Sequence, residues 1–191
     1  MTVKELEITE DDLGVFAMSI VDIPAIKENF VYLRDQKEPI TLKEVDKEKR
    51  LLLGPALIPN KPVFRKGMEG EEDYYIYFNP STIEKAAHDY LRNSMHLNHT
   101  LMHEKKLTDL AVVESWIIDD ELTDKSRKYG FDLPKGTWML MVHVGNEKVW
   151  QEQVKTGKVK GFSIEGNFGE VNPTLKAVSE LCVRIENTAL K

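Results

Sequence analysis

Apolar residues come in short bursts along this chain, separated by charged stretches or by glycine and proline. That rhythm predicts many strands and few helices. Residues 13–26 (LGVFAMSIVDIPAI) hold an apolar, partly β-branched core at 15–21 closed by Pro24, which predicts a largely buried strand. A further short strand is expected at 29–33. Residues 51–59 (LLLGPALIP) predict another, with Gly54 and Pro55 marking a bulge or bend. Residues 62–65 continue outward. Residues 66–73 carry two glycines and four acids and predict an exposed turn, and 74–78 (YYIYF) return as a strand.

The period then changes. Ser81 and Glu84 have capping-box spacing, and Pro80 suits a helix entrance. Ile83, Ala86, Ala87, Tyr90 and Leu91 follow as one apolar stripe, with His88 off it. Residues 107–118 (LTDLAVVESWII) predict a long strand, with Val112, Glu114, Trp116 and Ile118 on one face and Val113, Ser115 and Ile117 on the other. A polar excursion over 119–136 leads to a strand at 137–144, whose Trp138, Leu140, Val142 and Val144 share a face. His143 points with Met139 and Met141, as a packed or edge histidine. Asn146 is placed to cap a short helix reaching 155, with Val149, Trp150 and Val154 buried and Gly157 just past its end. Residues 175–191 fit helix and strand equally.

Six to eight strands, two helices and no strand-helix-strand repeat exclude a doubly wound sheet. They predict an α+β, mainly β fold: a small antiparallel β-barrel with helices packed outside. With 191 residues the chain is read as one domain, 1–191, with a charged linker or loop at 34–50 and a C-terminal extension at 175–191. A net charge of −6 without a basic stripe argues against nucleic acid. The single cysteine, Cys182, precludes an internal disulfide. No apolar run approaches a membrane span, and 1–10 lack the apolar segment of a signal peptide.

Candidate chemistry lies in residues 160–166 (KGFSIEG), a strand with glycine near both ends. Alternation places Val159, Gly161, Ser163 and Glu165 on one face and Phe162 and Ile164 on the other, toward a core. Ser163 is thus presented outward and held rigidly, as a nucleophile requires. On composition alone such a serine is more often structural. A nucleophilic serine needs a base, and His103 is the best placed. Gly161 and Gly166 would let a peptide approach and supply backbone donors for an oxyanion. Glu165 stands where a nucleophile elbow would have its second glycine, which excludes an α/β-hydrolase. His96, His99 and His103, with Glu104, form a second unusual cluster. It lacks a metal-binding motif and a convincing fourth ligand, so no metal or other cofactor is expected.

Taken together, SIVDIPAI, LLLGPALIP, NHTLMHE around His103, VVESWIIDD, YGFDLPKGTW, VW before a helix, and VKGFSIEG resemble the XkdF-like group of tailed-phage prohead serine proteases. The likeness runs from Gly14 to Gly166. That group is related to the wider prohead proteases and, more remotely, to the herpesvirus assemblin fold. The resemblance implies an endopeptidase acting inside the immature head, in the host cytoplasm, on scaffold and major capsid proteins. It names Ser163 as nucleophile and His103 as base. It also implies a barrel in circularly permuted order, because the SIVDIPA-like strand precedes the histidine here, and a homodimer, as assemblin-like enzymes often form. For the residue that orients the histidine, Glu114 is preferred because its strand directly follows His103, and Glu165 is the alternative. Two other readings are weighed: an inert capsid or scaffold component keeping the protease fold, and a histidine-cluster metal protein.

Overall fold

The computed structural model of the chain describes residues 2–28, 31–33 and 49–172. The 34–50 segment (apart from residues 49 and 50), the 175–191 extension and Cys182 lie outside the described residues. Twelve strands occur among them: β1 (Thr2–Glu7), β2 (Gly14–Val21), β3 (Val31–Leu33), β4 (Leu51–Leu57), β5 (Val63–Arg65), β6 (Tyr74–Phe78), β7 (His99–Leu101), β8 (Lys105–Leu107), β9 (Leu110–Ile117), β10 (Trp138–Val144), β11 (Gly161–Asn167) and β12 (Gly169–Glu170). Helix α1 spans Pro80–Arg92, and α2, Glu147–Val149, widens into a π turn over Trp150–Val154. The fold is mainly β with few helices.

The strands form three four-stranded sheets, in the orders β12-β1-β6-β5, β3-β4-β10-β9 and β11-β2-β7-β8. Each order is open at both ends. The small antiparallel barrel expected from the sequence is therefore corrected in two respects among the described residues: no hydrogen-bonded ring closes, and β1 with β6 and β2 with β7 pair parallel. The strand number exceeds the expected six to eight because several strands are only two or three residues long, too short for alternation to show.

β10 is the centre of the core. It pairs antiparallel with β4 on one side and β9 on the other. An inner strand covered on both faces buries consecutive residues, and Trp138, Met139, Leu140, Met141 and Val142 are all buried. Trp138 donates its indole N–H to Ser115 Oγ at 2.9 Å and meets the Tyr90 ring edge-on, which ties α1 to the sheet. Ladder shifts occur where the chain inserts an extra residue. Ala56, beside the expected Gly54–Pro55 bend, is skipped opposite Trp138 and Met139. Val113 is skipped opposite Met141 and Val142. This second bulge breaks the predicted alternation of β9, so Val113 and the adjacent Glu114 are both exposed while Val112 is buried.

Helix α1 buries Ile83, Ala86, Ala87 and Tyr90 as its stripe predicts, whereas Leu91 is exposed. Its cap differs from expectation. Asn79 Oδ1 accepts the Thr82 N–H at 2.8 Å, so the cap lies two residues before Ser81, and Pro80 takes the first helical position. Asn146 caps α2 as expected, accepting the Val149 N–H at 3.1 Å. Among the described residues no helix is long and apolar enough to cross a membrane.

Candidate active site

β11 is an edge strand of the third sheet. Phe162, almost fully buried, anchors it in the core, and Ser163 on the opposite face is half-buried. Directly opposed residues share a face of the sheet. The register Ser163↔Ser19 between β11 and β2, and Ser19↔Thr100 between β2 and β7, sets three hydroxyl side chains in a row across three strands. One step along β11, Glu165 lies opposite Ala17.

His103 comes from the turn between β7 and β8. Met102 and His103 both adopt left-handed backbone, at φ 53 and 62, and the Glu104 N–H donates to the Leu101 carbonyl at 3.1 Å. Two consecutive left-handed residues are the signature of a tight hairpin turn of the primed kind, normally built with glycine or asparagine. The turn is held from below. The Met102 N–H donates to the Ile20 carbonyl at 3.1 Å. The His103 N–H donates to Ser19 Oγ at 3.0 Å, and the Ser19 hydroxyl donates to the Thr100 carbonyl at 3.4 Å. Fully buried Ser19 thus fixes the backbone that carries the histidine.

The imidazole is oriented by a carboxylate. His103 Nδ1 lies 3.1 Å from Glu165 Oε1, and the Thr100 hydroxyl donates to the same oxygen. Glu165 reaches diagonally over β2 because the residue beneath it, Ala17, is small. With Nδ1 engaged, Nε2 is the ring nitrogen left for chemistry. Ser163 and Glu165 share a face two residues apart, about 6.6 Å of strand rise. His103 and Ser163 line the same open groove of about 320 Å³, bordered by Val21, Asp22, Ile23 and Arg65. The Ser163 hydroxyl makes no hydrogen bond among the described residues, and none joins it to His103. Resting hydrolase sites commonly tighten this contact only around substrate.

The other expected site residues fall elsewhere. Glu114 is on β9, in a different sheet, and its carboxylate pairs with Lys125, whose ammonium sits 3.8 Å from the centre of the Trp116 ring. The carboxylate that meets His103 is Glu165, so the preference for Glu114 is corrected. Gly161 and Gly166 are glycines for a reason other than peptide access. A Cβ at Gly161 would stand 2.6 Å from Pro24 Cγ, and one at Gly166 would stand 2.6 Å from the Gly14 carbonyl oxygen. Their open side is filled by the chain itself, although Gly166 also borders a second groove.

The histidine cluster does not converge. His99 is buried, its Nε2 lies 3.1 Å from the His96 carbonyl oxygen, and its Nδ1 has no hydrogen-bond partner among the described residues. Burial holds the His99 pKa below the ordinary imidazole value. Among the described residues no three histidine, cysteine or acidic side chains are placed to hold a metal ion. His88 and His143 are both exposed and lie on α1 and β10. Sequence reasoning missed Ser19, Thr100 and Arg65. Ser19 alone left a signal: it is the one polar residue inside the apolar burst VFAMSIV.

No solved structure matches the chain. Among curated proteins, the uncharacterized protein YqbD of Bacillus subtilis (strain 168) is 27% identical over 170 residues, covering 85% of this chain and 47% of that protein. The chain therefore spans about half the length of the curated relative it matches. The model of the family described as "Putative phage serine protease XkdF" matches residues 39–172, most of the chain. Its matched span includes His103, Ser163 and Glu165, and the chain belongs to this XkdF family.

Proposed function

We propose that this chain is a serine endopeptidase in which Ser163 attacks the peptide carbonyl, His103 moves the proton and Glu165 holds the imidazole. One observation carries the assignment: His103 is bound through Nδ1 by Glu165 and lines the same groove as Ser163. Ser163 Oγ bonds to the carbonyl carbon while its proton passes to His103 Nε2. The same proton then goes to the departing amine as the carbon–nitrogen bond breaks. Water, deprotonated by Nε2, repeats the attack on the acyl-enzyme and frees Ser163. Glu165 stabilises the imidazolium formed at each stage and fixes which nitrogen faces the serine. No metal or other cofactor enters these steps.

The proposal extends to a setting: the substrates are the scaffold and major capsid proteins of a phage head, cut inside the assembling prohead in the host cytoplasm. The permuted strand order belongs to the same proposal, with three open sheets that contribute to one apolar core in place of a closed barrel. The test is co-expression with the neighbouring scaffold and capsid proteins, followed by mass mapping of new termini. New termini that appear only with the intact chain are expected. Unprocessed scaffold alongside folded, intact protein would contradict the proposal and favour an inert head component.

A further inference from the structure

Arg65, at the end of edge strand β5, lines the groove that holds Ser163 and His103. It also lines an adjoining groove of about 410 Å³ whose walls include Tyr74, Phe78, Ile164 and Phe168. The two grooves meet at Arg65 and Ile164. The guanidinium is half-buried, and one nitrogen donates to the Phe64 carbonyl at 3.0 Å. It pairs with no carboxylate among the described residues. A guanidinium offers five N–H donors in a fork that fits a carboxylate, and leaving one partly buried without an anion is costly. Burial here lowers the pKa of the group, as expected of a cation short of a counter-charge.

Among the described residues none of the nearby acids forms an ion pair with Arg65. Lys4 and Glu170, in the adjoining groove, neutralise each other at 2.9 Å. Glu165 accepts from Thr100 and meets His103. Asp22, on the rim of the Ser163 groove, accepts the Ile23 N–H at 2.8 Å. Arg65 and Ser163 line one groove, so a peptide held in that groove would lie beside the remaining N–H donors of the guanidinium. We infer that Arg65 is a specificity-determining residue that receives an acidic side chain of the substrate close to the scissile bond, while the aromatic groove beyond it takes an apolar neighbour. This inference rests on the protease reading.

The test uses an equimolar library of random-sequence synthetic peptides, with new termini identified by mass spectrometry. The wild type should cut with aspartate or glutamate enriched at one position within about three residues of the cut. On matched peptides carrying Glu or Gln at that position, the kcat/KM ratio should be roughly 10- to 100-fold in favour of Glu, the range for a charge-assisted hydrogen bond. Arg65→Gln should bring that ratio to about one, and Arg65→Glu should turn the preference toward lysine. Cutting without an acidic preference would overturn the inference and leave the protease reading standing. So would an Arg65→Gln variant that slows both peptides equally and keeps the ratio, because it would place Arg65 on the peptide backbone or the oxyanion. A wild type that cuts no more than Ser163→Ala would overturn both.

Discussion

Glu165 and Glu114 have the same side chain and opposite fates, and the difference lies in their partners. Glu165 is mostly buried, accepts from Thr100 and meets His103, whereas Glu114 lies on an exposed bulge with Lys125 for company. Replacing Glu165 with glutamine keeps the shape but removes the charge that fixes the imidazole. Cleavage should fall by about 10²- to 10⁴-fold in kcat, the scale seen when a triad carboxylate is neutralised. Glu114→Gln should stay within about threefold, because exposed ion pairs contribute little. Steady-state rates on one mapped cleavage peptide decide it, and equal losses in the two variants would reject the assignment. Glu165 was legible in the sequence through the Ser163-Ile164-Glu165 spacing, which puts both polar groups on one strand face. Glu114 drew attention as a neighbour of His103 in sequence, but that nearness is not spatial. At Asp109 the backbone turns left-handed, at φ 63, and carries the chain from β8 in one sheet to β9 in another.

The β7–β8 hairpin is the element on which the proposed mechanism rests, since it presents His103 at its tip and buries His99 at its root. The sequence showed three histidines within eight residues but could not separate their roles, because burial and turn handedness arise only from packing. His99 makes a prediction about this element. Its folded pKa lies below the ordinary value of 6.5, chiefly through burial, so the unfolded chain takes up a proton first as pH falls. Stability from this residue is therefore complete above about pH 6.5 and declines below it, toward the depressed folded pKa. Urea midpoints at pH 7.5 and pH 5 should show this loss. His99→Phe, which keeps an aromatic ring without a titrating group, should flatten the difference. An unchanged pH slope in His99→Phe would show that the loss originates elsewhere. Strand β11 was read from the sequence with its faces correct, as were the cores of β2 and β10. β9 was not, because a one-residue bulge reverses alternation without leaving a compositional mark.

At the scale of the whole molecule, the site is assembled from residues far apart in sequence. Ser19 on β2, Thr100 and His103 on and beyond β7, and Ser163 and Glu165 on β11 meet only because β2 pairs antiparallel with β11 and parallel with β7. The absence of a strand-helix-strand repeat made the mainly β class legible. The order of strands within three sheets was not, because pairing between distant strands depends on shared burial rather than on any local signal. The central claim is that Ser163 and His103 act as one catalytic unit supported by this scaffold. The most direct measurement is the rate of scaffold cleavage by Ser163→Ala, His103→Ala and the double variant, each shown to be folded and each prepared free of host protease. Ser163→Ala removes only a half-buried hydroxyl with no partner among the described residues, so the fold should survive while cleavage is lost almost completely. His103→Ala should match it, and the double variant should be no slower than either, since members of one unit do not contribute additively. Folded Ser163→Ala that processed the scaffold at the parental rate would contradict the account.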